Sequence, residues 1–211
     1  MYNPAAFRED RPEILHGLIR EARLALLVSN GAERVPDVTH LPLTLSADGG
    51  ELIGHLARAN PHWQALRTAG RAIAIFRGAE AYVSPNWYPS KAEHHRVVPT
   101  WNYEAVHAEG LVEIIDDAAR LHGIVSRLTD EKEAAQPRPW SVGEAPEGFV
   151  AGQLKGIVGL VLRIERLTGK RKLSQNRAAP DRDGAAAGLA ASDDPRDRDT
   201  AAAMRRMAGG G

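Results

Sequence analysis

Residues 82–110 read YVSPNWYPSKAEHHRVVPTWNYEAVHAEG. Aromatics are only 5% of the chain, yet this window holds Tyr82, Trp87, Tyr88, Trp101 and Tyr103. Between them lie Lys91, His94, His95, Arg96, Asn102 and His107, with Pro85, Pro89 and Pro99 as rigid points. Flat apolar faces beside cationic and hydrogen-bonding groups are what a planar, phosphorylated ligand requires. A second reading stays open, in which the window is a strand–loop–strand whose aromatics fill a core.

Working outward, short apolar runs alternate with turn signals. Residues 10–23 have helical spacing through Ile14, Leu15, Leu18, Ile19 and Ala22, with Pro12 in the first turn. Leu24–Ser29 leads into Asn30-Gly31, a hairpin signal. Strand character returns at Val38–Ser46 and Glu51–Leu56. Asn60-Pro61 then opens a short helix to about Thr68, with Asn60 as its cap. Arg71–Phe76 and Ala79–Ser84 read as strands paired around Arg77-Gly78. Thr100–Ile115 has its clearest strand character after Gly110, Asp116–Thr129 is helical, 134–148 is a Pro/Gly-rich loop, and Gly156–Leu167 alternates as a strand.

Many short strands, few helices and no βαβ alternation predict an α+β fold, mainly antiparallel β and barrel-like. Neither GxGxxG nor GxxxxGK[ST] occurs, which removes support for the common dinucleotide and P-loop readings. After Arg177 the composition shifts to Ala, Asp, Arg and Gly. Ala favours helix, so two small helices, Asp181–Ala191 and Pro195–Met207, are expected in this tail, with Gly209–Gly211 frayed.

Lys plus Arg and Asp plus Glu are 27 each, which gives no general pull toward DNA or an anionic membrane. The chain has no cysteine, so disulfides, iron–sulfur clusters, Cys-ligated zinc and thiol nucleophiles are excluded. The start MYNPAAFRED has neither a basic n-region nor an apolar run, and no stretch approaches the ~20 apolar residues of a membrane span. A cytoplasmic protein is expected. Eight histidines are present, but His94-His95 are adjacent and no third ligand stands at metal-site spacing.

Four motifs share a ligand-binding character: HLPLT (40–44), HLARANPHW (55–63), the 82–110 window and KRKLSQNR (170–177). The Asn60-Pro61 helix start offers backbone N–H groups and a positive dipole end to a phosphate, with Arg58, Asn60 and His62 as further donors. An ordinary capped helix is the competing reading. Lys170-Arg171-Lys172 reads most simply as a solvated strand end.

In their order and spacing, HLPLTLS, HLARANPHW, YVSPNWY-PSK, VPTWNYEAVHAEG and KLSQNR resemble the PaiB family of FMN-binding negative transcriptional regulators. MYNPAAF at the start and Asp181-Arg182-Asp183-Gly184 in the tail extend the likeness over nearly the whole chain. The resemblance implies a split β-barrel of the pyridoxamine-phosphate-oxidase type, with flanking helices and a small C-terminal helical tail. It implies an FMN-binding domain over 1–177, a tail over 178–211, and a homodimer with FMN at the subunit interface. By position within the motifs it implies flavin contacts from His40, Leu41 and Leu43, then from His55, Leu56, Asn60 and His62, and from Trp101, Asn102 and Tyr103. No Arg/Lys phosphate clamp follows Ala59, so Arg58 and Lys91 stand in for it. Two functional classes remain: a repressor-type regulator acting through a bound flavin or small ligand, and a flavin-dependent oxidoreductase on an unknown small molecule. Direct DNA reading has no helix-turn-helix or zinc-finger motif behind it.

Overall fold

A computed structural model describes residues 1–31 and 35–209. Strand β1 (Arg8–Glu9) precedes helix α1 (Pro12–Glu21), which buries Leu15, Leu18 and Ile19 on one stripe. Strands β2 (Ala25–Ser29) and β3 (Asp37–Leu41) pair antiparallel, with Ser29 opposite Asp37. The hairpin signalled at Asn30-Gly31 is therefore present, its last described pair being Ser29 with Asp37, and 32–34 lie outside the described residues. Pro42-Leu43 breaks the next apolar run, leaving β4 (Thr44–Leu45), and β5 (Glu51–Ala57) follows.

Helix α2 (His62–Ala69) starts one residue later than expected, but Asn60 still caps it, its Oδ1 accepting from the His62 N–H at 3.0 Å. Gly70 closes the helix at φ +66°, a left-handed conformation that glycine adopts without steric cost.

Strand β6 (Arg71–Val83) corrects the expected turn at Arg77-Gly78, because the chain passes through it as one 13-residue strand. Gly78 is small for a packing reason. A Cβ there would stand 2.9 Å from Cβ of Glu104 and 3.3 Å from Leu18. A 3-10 turn over Pro85–Trp87 and the short α3 (Ser90–His94) join β6 to β7 (Thr100–Ile115). Helix α4 (Ala118–Glu133) is capped by Asp117, whose side chain accepts from the Arg120 N–H at 2.9 Å. The expected loop ends in a further helix, α5 (Glu147–Leu154), before β8 (Ile157–Lys172), which extends five residues past the expected Leu167. Both tail helices form as expected: α6 (Ala179–Ala190) and α7 (Pro195–Gly209). Gly210 and Gly211 lie outside the described residues.

The strands form an eight-stranded sheet of order β3-β2-β6-β7-β8-β5-β4, with β1 on β8, and every register described is antiparallel. This is an α+β, mainly antiparallel, split-barrel fold. The chain divides into two compact units whose boundaries fall after α1 and inside β6, β7 and β8.

The first unit is Met1–Glu21, Arg77–Val106 and Thr168–Gly211. Its core joins Ala81, Val83, Tyr88 and Leu173 to Ala185, Ala186 and Leu189 of α6 and Ala201, Ala203 and Met204 of α7. The second unit is Ala22–Phe76 and His107–Leu167. There α4 lays Leu121, Ile124 and Leu128 on Ile53, Ile115 and Val161.

Candidate functional site

In the second unit, the residues singled out from the sequence divide by strand face. Successive strand side chains point to opposite faces, so Leu41 and Leu56 turn into the core while their neighbours His40 and His55 do not. Leu43 is likewise buried, and it closes on Gly54. His40 is exposed.

Asn60 and His62 belong to one closed hydrogen-bond network. Asn60 Oδ1 accepts from the backbone of His62, which fixes the orientation of the amide, so Nδ2 donates to Oγ1 of Thr39 at 3.1 Å. The Thr39 hydroxyl lies 2.7 Å from Nδ1 of His62, and Nε2 of the same ring lies 3.0 Å from Oγ of Ser29. One assignment satisfies every group: Thr39 donates to Nδ1, and a neutral ring donates from Nε2 to Ser29. Burial pushes the His62 pKa down from 6.5, against a smaller opposing pull from Asp37. Both ring nitrogens are thus occupied inside the protein. Thr39 and Ser29 were not legible as members, since strand hydroxyls carry no motif.

Arg58 is held by protein groups as well. Its Nη2 meets Asp116 Oδ1 and the Ile157 carbonyl, the latter at 2.9 Å, while Nε donates to the Lys155 carbonyl at 2.9 Å. The Asp116 hydrogen bond raises the Arg58 pKa, and the Arg58 hydrogen bond lowers that of Asp116.

His55 looks onto a cleft of about 340 Å³ lined by Pro42, Leu128, Thr129, Lys132, Glu133 and Trp140. Its Nδ1 is buried without a partner, and burial lowers its pKa, so the ring is neutral at pH 7. Trp140, in a segment read from sequence as plain loop, is 44% exposed here.

The first unit holds the remaining four. Asn102 is fully buried and exchanges hydrogen bonds with Ser174: Nδ2 donates to Oγ at 3.0 Å and the hydroxyl reaches Oδ1 at 3.1 Å. It also donates to Sδ of Met204 at 3.3 Å, so it ties β7 to the tail rather than facing a ligand. Lys91, on α3, donates to the Asn86 side chain.

Trp101 and Tyr103 occupy the opposite face of β7 from Asn102. Trp101 is 58% exposed and meets Tyr82 of β6, itself 47% exposed, edge to face with centroids 6.1 Å apart. Two aromatic residues on neighbouring strands, Tyr82 and Trp101, thus present open apolar surface, with the half-buried Tyr103 beside them. These rings do not fill a core. The bland reading holds instead for Tyr88, which is buried under the Arg177 guanidinium at 4.8 Å.

Lys170-Arg171-Lys172 is the clearest departure from expectation. Lys170 and Arg171 are each only 6% exposed, so the segment is no solvated strand end. Arg171 turns inward to Glu104 and Glu9, at 2.6 and 3.6 Å. Lys170 and Lys172 turn to the other face: Lys170 Nζ lies 5.2 Å from the Tyr103 ring centroid and 5.4 Å from that of Tyr2. Lys172 donates to Thr100 Oγ1 and the Trp101 carbonyl. The period-two match of Lys170-x-Lys172 with Trp101-x-Tyr103 is the sequence signal that would have found this face.

A family model described as "Putative FMN-binding domain" matches residues 1–166. Protease synthase and sporulation protein PAI 2 of Bacillus subtilis is 30% identical over 184 residues, covering 86% of this chain and 85% of its own. Among solved structures, conserved hypothetical protein Rv2991 of Mycobacterium tuberculosis superposes with a TM-score of 0.60 at 14% identity, over 84% of this chain and 94% of that one. The FAD and Heme binding protein of Mycobacterium smegmatis gives 0.56 at 18%, over 78% and 73%. At these identities the two structures speak to the fold.

Proposed function

Because this chain belongs to the FMN-binding domain family, we propose that it is a homodimeric FMN-binding protein whose regulatory output depends on the bound flavin. The observation that carries this reading is the aromatic face on which Tyr82 and Trp101 are open and Tyr103 is half-buried. A flat ring system finds there the apolar, quadrupolar surface it stacks on, next to backbone and cationic groups. The residues therefore fit FMN, and Trp101 and Tyr103 are the ones assigned to its ring.

Bound FMN supplies one- and two-electron redox chemistry through its isoalloxazine ring. The chain's own part is to bind, orient and shield. The aromatic residues cover a ring face. The dimer is proposed because Trp101 and Tyr82 leave about half of their surface bare, which a second copy would cover while completing a pocket. The regulatory part follows the family resemblance and the balanced charge, which favours sensing over operator reading.

The test is gel filtration of the full chain after incubation with FMN, read at protein and flavin wavelengths. Flavin absorbance co-eluting with a dimer, with tryptophan emission quenched, is the expected result. Elution free of flavin, or a stable folded monomer at micromolar concentration, defeats the corresponding half of the proposal.

A further inference from the structure

The open aromatic face has a charged border. Lys170 and Lys172 alternate with the inward Arg171 on β8, next to β7: Lys170 meets the Tyr103 ring, and Lys172, two residues on along the same side of β8, reaches the Trp101 carbonyl and Thr100 Oγ1. Arg171 takes the buried carboxylates Glu104 and Glu9 on the other side. Among the described residues no carboxylate comes within ion-pair distance of either lysine.

Their donors are only partly used. Lys170 has three ammonium protons and one oxygen partner, the Tyr2 carbonyl at 3.0 Å, the rest facing the Tyr2 and Tyr103 rings. Lys172 has two, Thr100 Oγ1 and the Trp101 carbonyl. Arg8 stands opposite Lys170 in the β1–β8 register and adds a third cation, its own Asp10 lying 3.5 Å away. Burial, then the charges of Lys170 and Arg177, lower the Lys172 pKa, as expected of cations gathered without a counter-charge.

A nearly buried ammonium group left short of acceptors is costly unless an anion completes its shell. We propose that Lys170 and Lys172 are the anion-recognition edge of a site for a planar aromatic phosphate monoester, whose ring system is met by Trp101 and Tyr103. For the identity of that ligand as FMN, the inference rests on the function proposed above. It moves the phosphate away from Arg58, already held by Asp116 and two carbonyls, and from Lys91 on α3.

The experiment is titration of the full chain with FMN, riboflavin and phenyl phosphate, followed by flavin fluorescence and tryptophan emission. It uses the wild type, Lys172→Gln, Lys172→Arg and Lys91→Gln, each checked for a native melting transition. Lys172→Gln is expected to weaken FMN roughly tenfold, as loss of a charge-assisted contact does, and to leave riboflavin within about twofold. Lys172→Arg should recover most of the loss, and Lys91→Gln should bind as wild type does. Lys170→Met replaces Lys172→Gln in the comparison if the latter does not fold. Equal FMN affinity in the folded Lys172→Gln protein, a parallel loss of riboflavin, or a loss confined to Lys91→Gln overturns the proposal. If the wild type binds neither flavin, the FMN reading fails on its own. Phenyl phosphate then decides: binding that Lys172→Gln abolishes supports the anion edge, and no binding overturns it.

Discussion

Arg171 donates through Nε to Oε1 of Glu104 at 2.6 Å, and the two side chains are 7% and 2% exposed. Glu9, 3.6 Å from the same guanidinium, links the pair to Arg11 at the surface. Removing one partner of a buried pair leaves an uncompensated charge. Glu104→Ala is expected to cost about 3–5 kcal/mol in urea unfolding. The double variant Arg171→Met with Glu104→Leu should recover most of that. The chain also has an acid limit. Glu9 is held down to about 2 from 4.5, chiefly by its hydrogen bond to the Arg11 side chain. A depressed carboxyl stabilises the fold fully above its unfolded value, and the gain is lost as pH falls from about 4.5 toward 2. In Glu9→Gln, melting temperature measured over that interval should depend less on pH.

The Ser29–His62–Thr39–Asn60 network gives a second pH dependence at a different place. Burial depresses His62, so the unfolded chain takes up a proton first as pH drops below about 6.5. Stability is therefore complete above that value and declines below it. His55 and His107, both lowered mainly by burial, act in the same sense. His62→Ala should cost about 2–4 kcal/mol at pH 7.5, since it leaves two hydroxyls without their partner and opens a cavity. Melting curves between pH 7.5 and 5.5 should then show a shallower slope than wild type, though not a flat one.

The tail is held by close packing. A Cβ on Gly188 of α6 would stand 2.3 Å from Cδ2 of Trp87, a rigid indole in the same unit. Gly188→Ala is expected to destabilise by about 1–3 kcal/mol through overpacking. Gly123→Ala, on α4 with nothing within 4 Å, should instead stabilise by about 0.5–1 kcal/mol through helix propensity. A chain ending at Arg177 would expose Ala81, Val83, Tyr88 and Leu173, and should lose its cooperative melt. An unchanged transition in that truncation would make the tail an independent appendage.

Element type was largely readable because it rests on local signals. Pro12, the Asn60 cap and the alternation after Gly156 each act within a few residues of their own position. The failures are long-range. Gly78 looks like a turn residue, and only Glu104 on the neighbouring strand explains why it is glycine. Lys170-Arg171-Lys172 looks like a solvated end, and only Glu9 and Glu104 reveal that its middle residue is buried and paired. The aromatic face was visible as composition, but its sorting was not: Trp101 is open, Tyr103 half-buried, Tyr88 buried, and Asn102 turns inward to Ser174. Strand parity distinguishes the two faces, and parity needs the register, which no single segment carries.

The last prediction concerns DNA. Operator binding draws much of its affinity from Lys and Arg on phosphates and falls steeply with salt. Here the formal charge is zero, and many of the arginines are already paired: Arg58 with Asp116, Arg71 with Glu165, Arg120 with Glu113 and Arg166 with Glu109. The described residues contain two tail helices, but α6 and α7 bury Ala185, Leu189, Ala201 and Met204 in their own unit's core rather than presenting a free recognition helix. Anisotropy titrations of the full chain on a duplex from a regulated promoter, against a scrambled duplex, should therefore give weak binding with less than about tenfold preference at physiological salt. The same result is expected with FMN present. Nanomolar binding with a large promoter preference, in either condition, would make this chain a sequence reader and displace the ligand-sensing account.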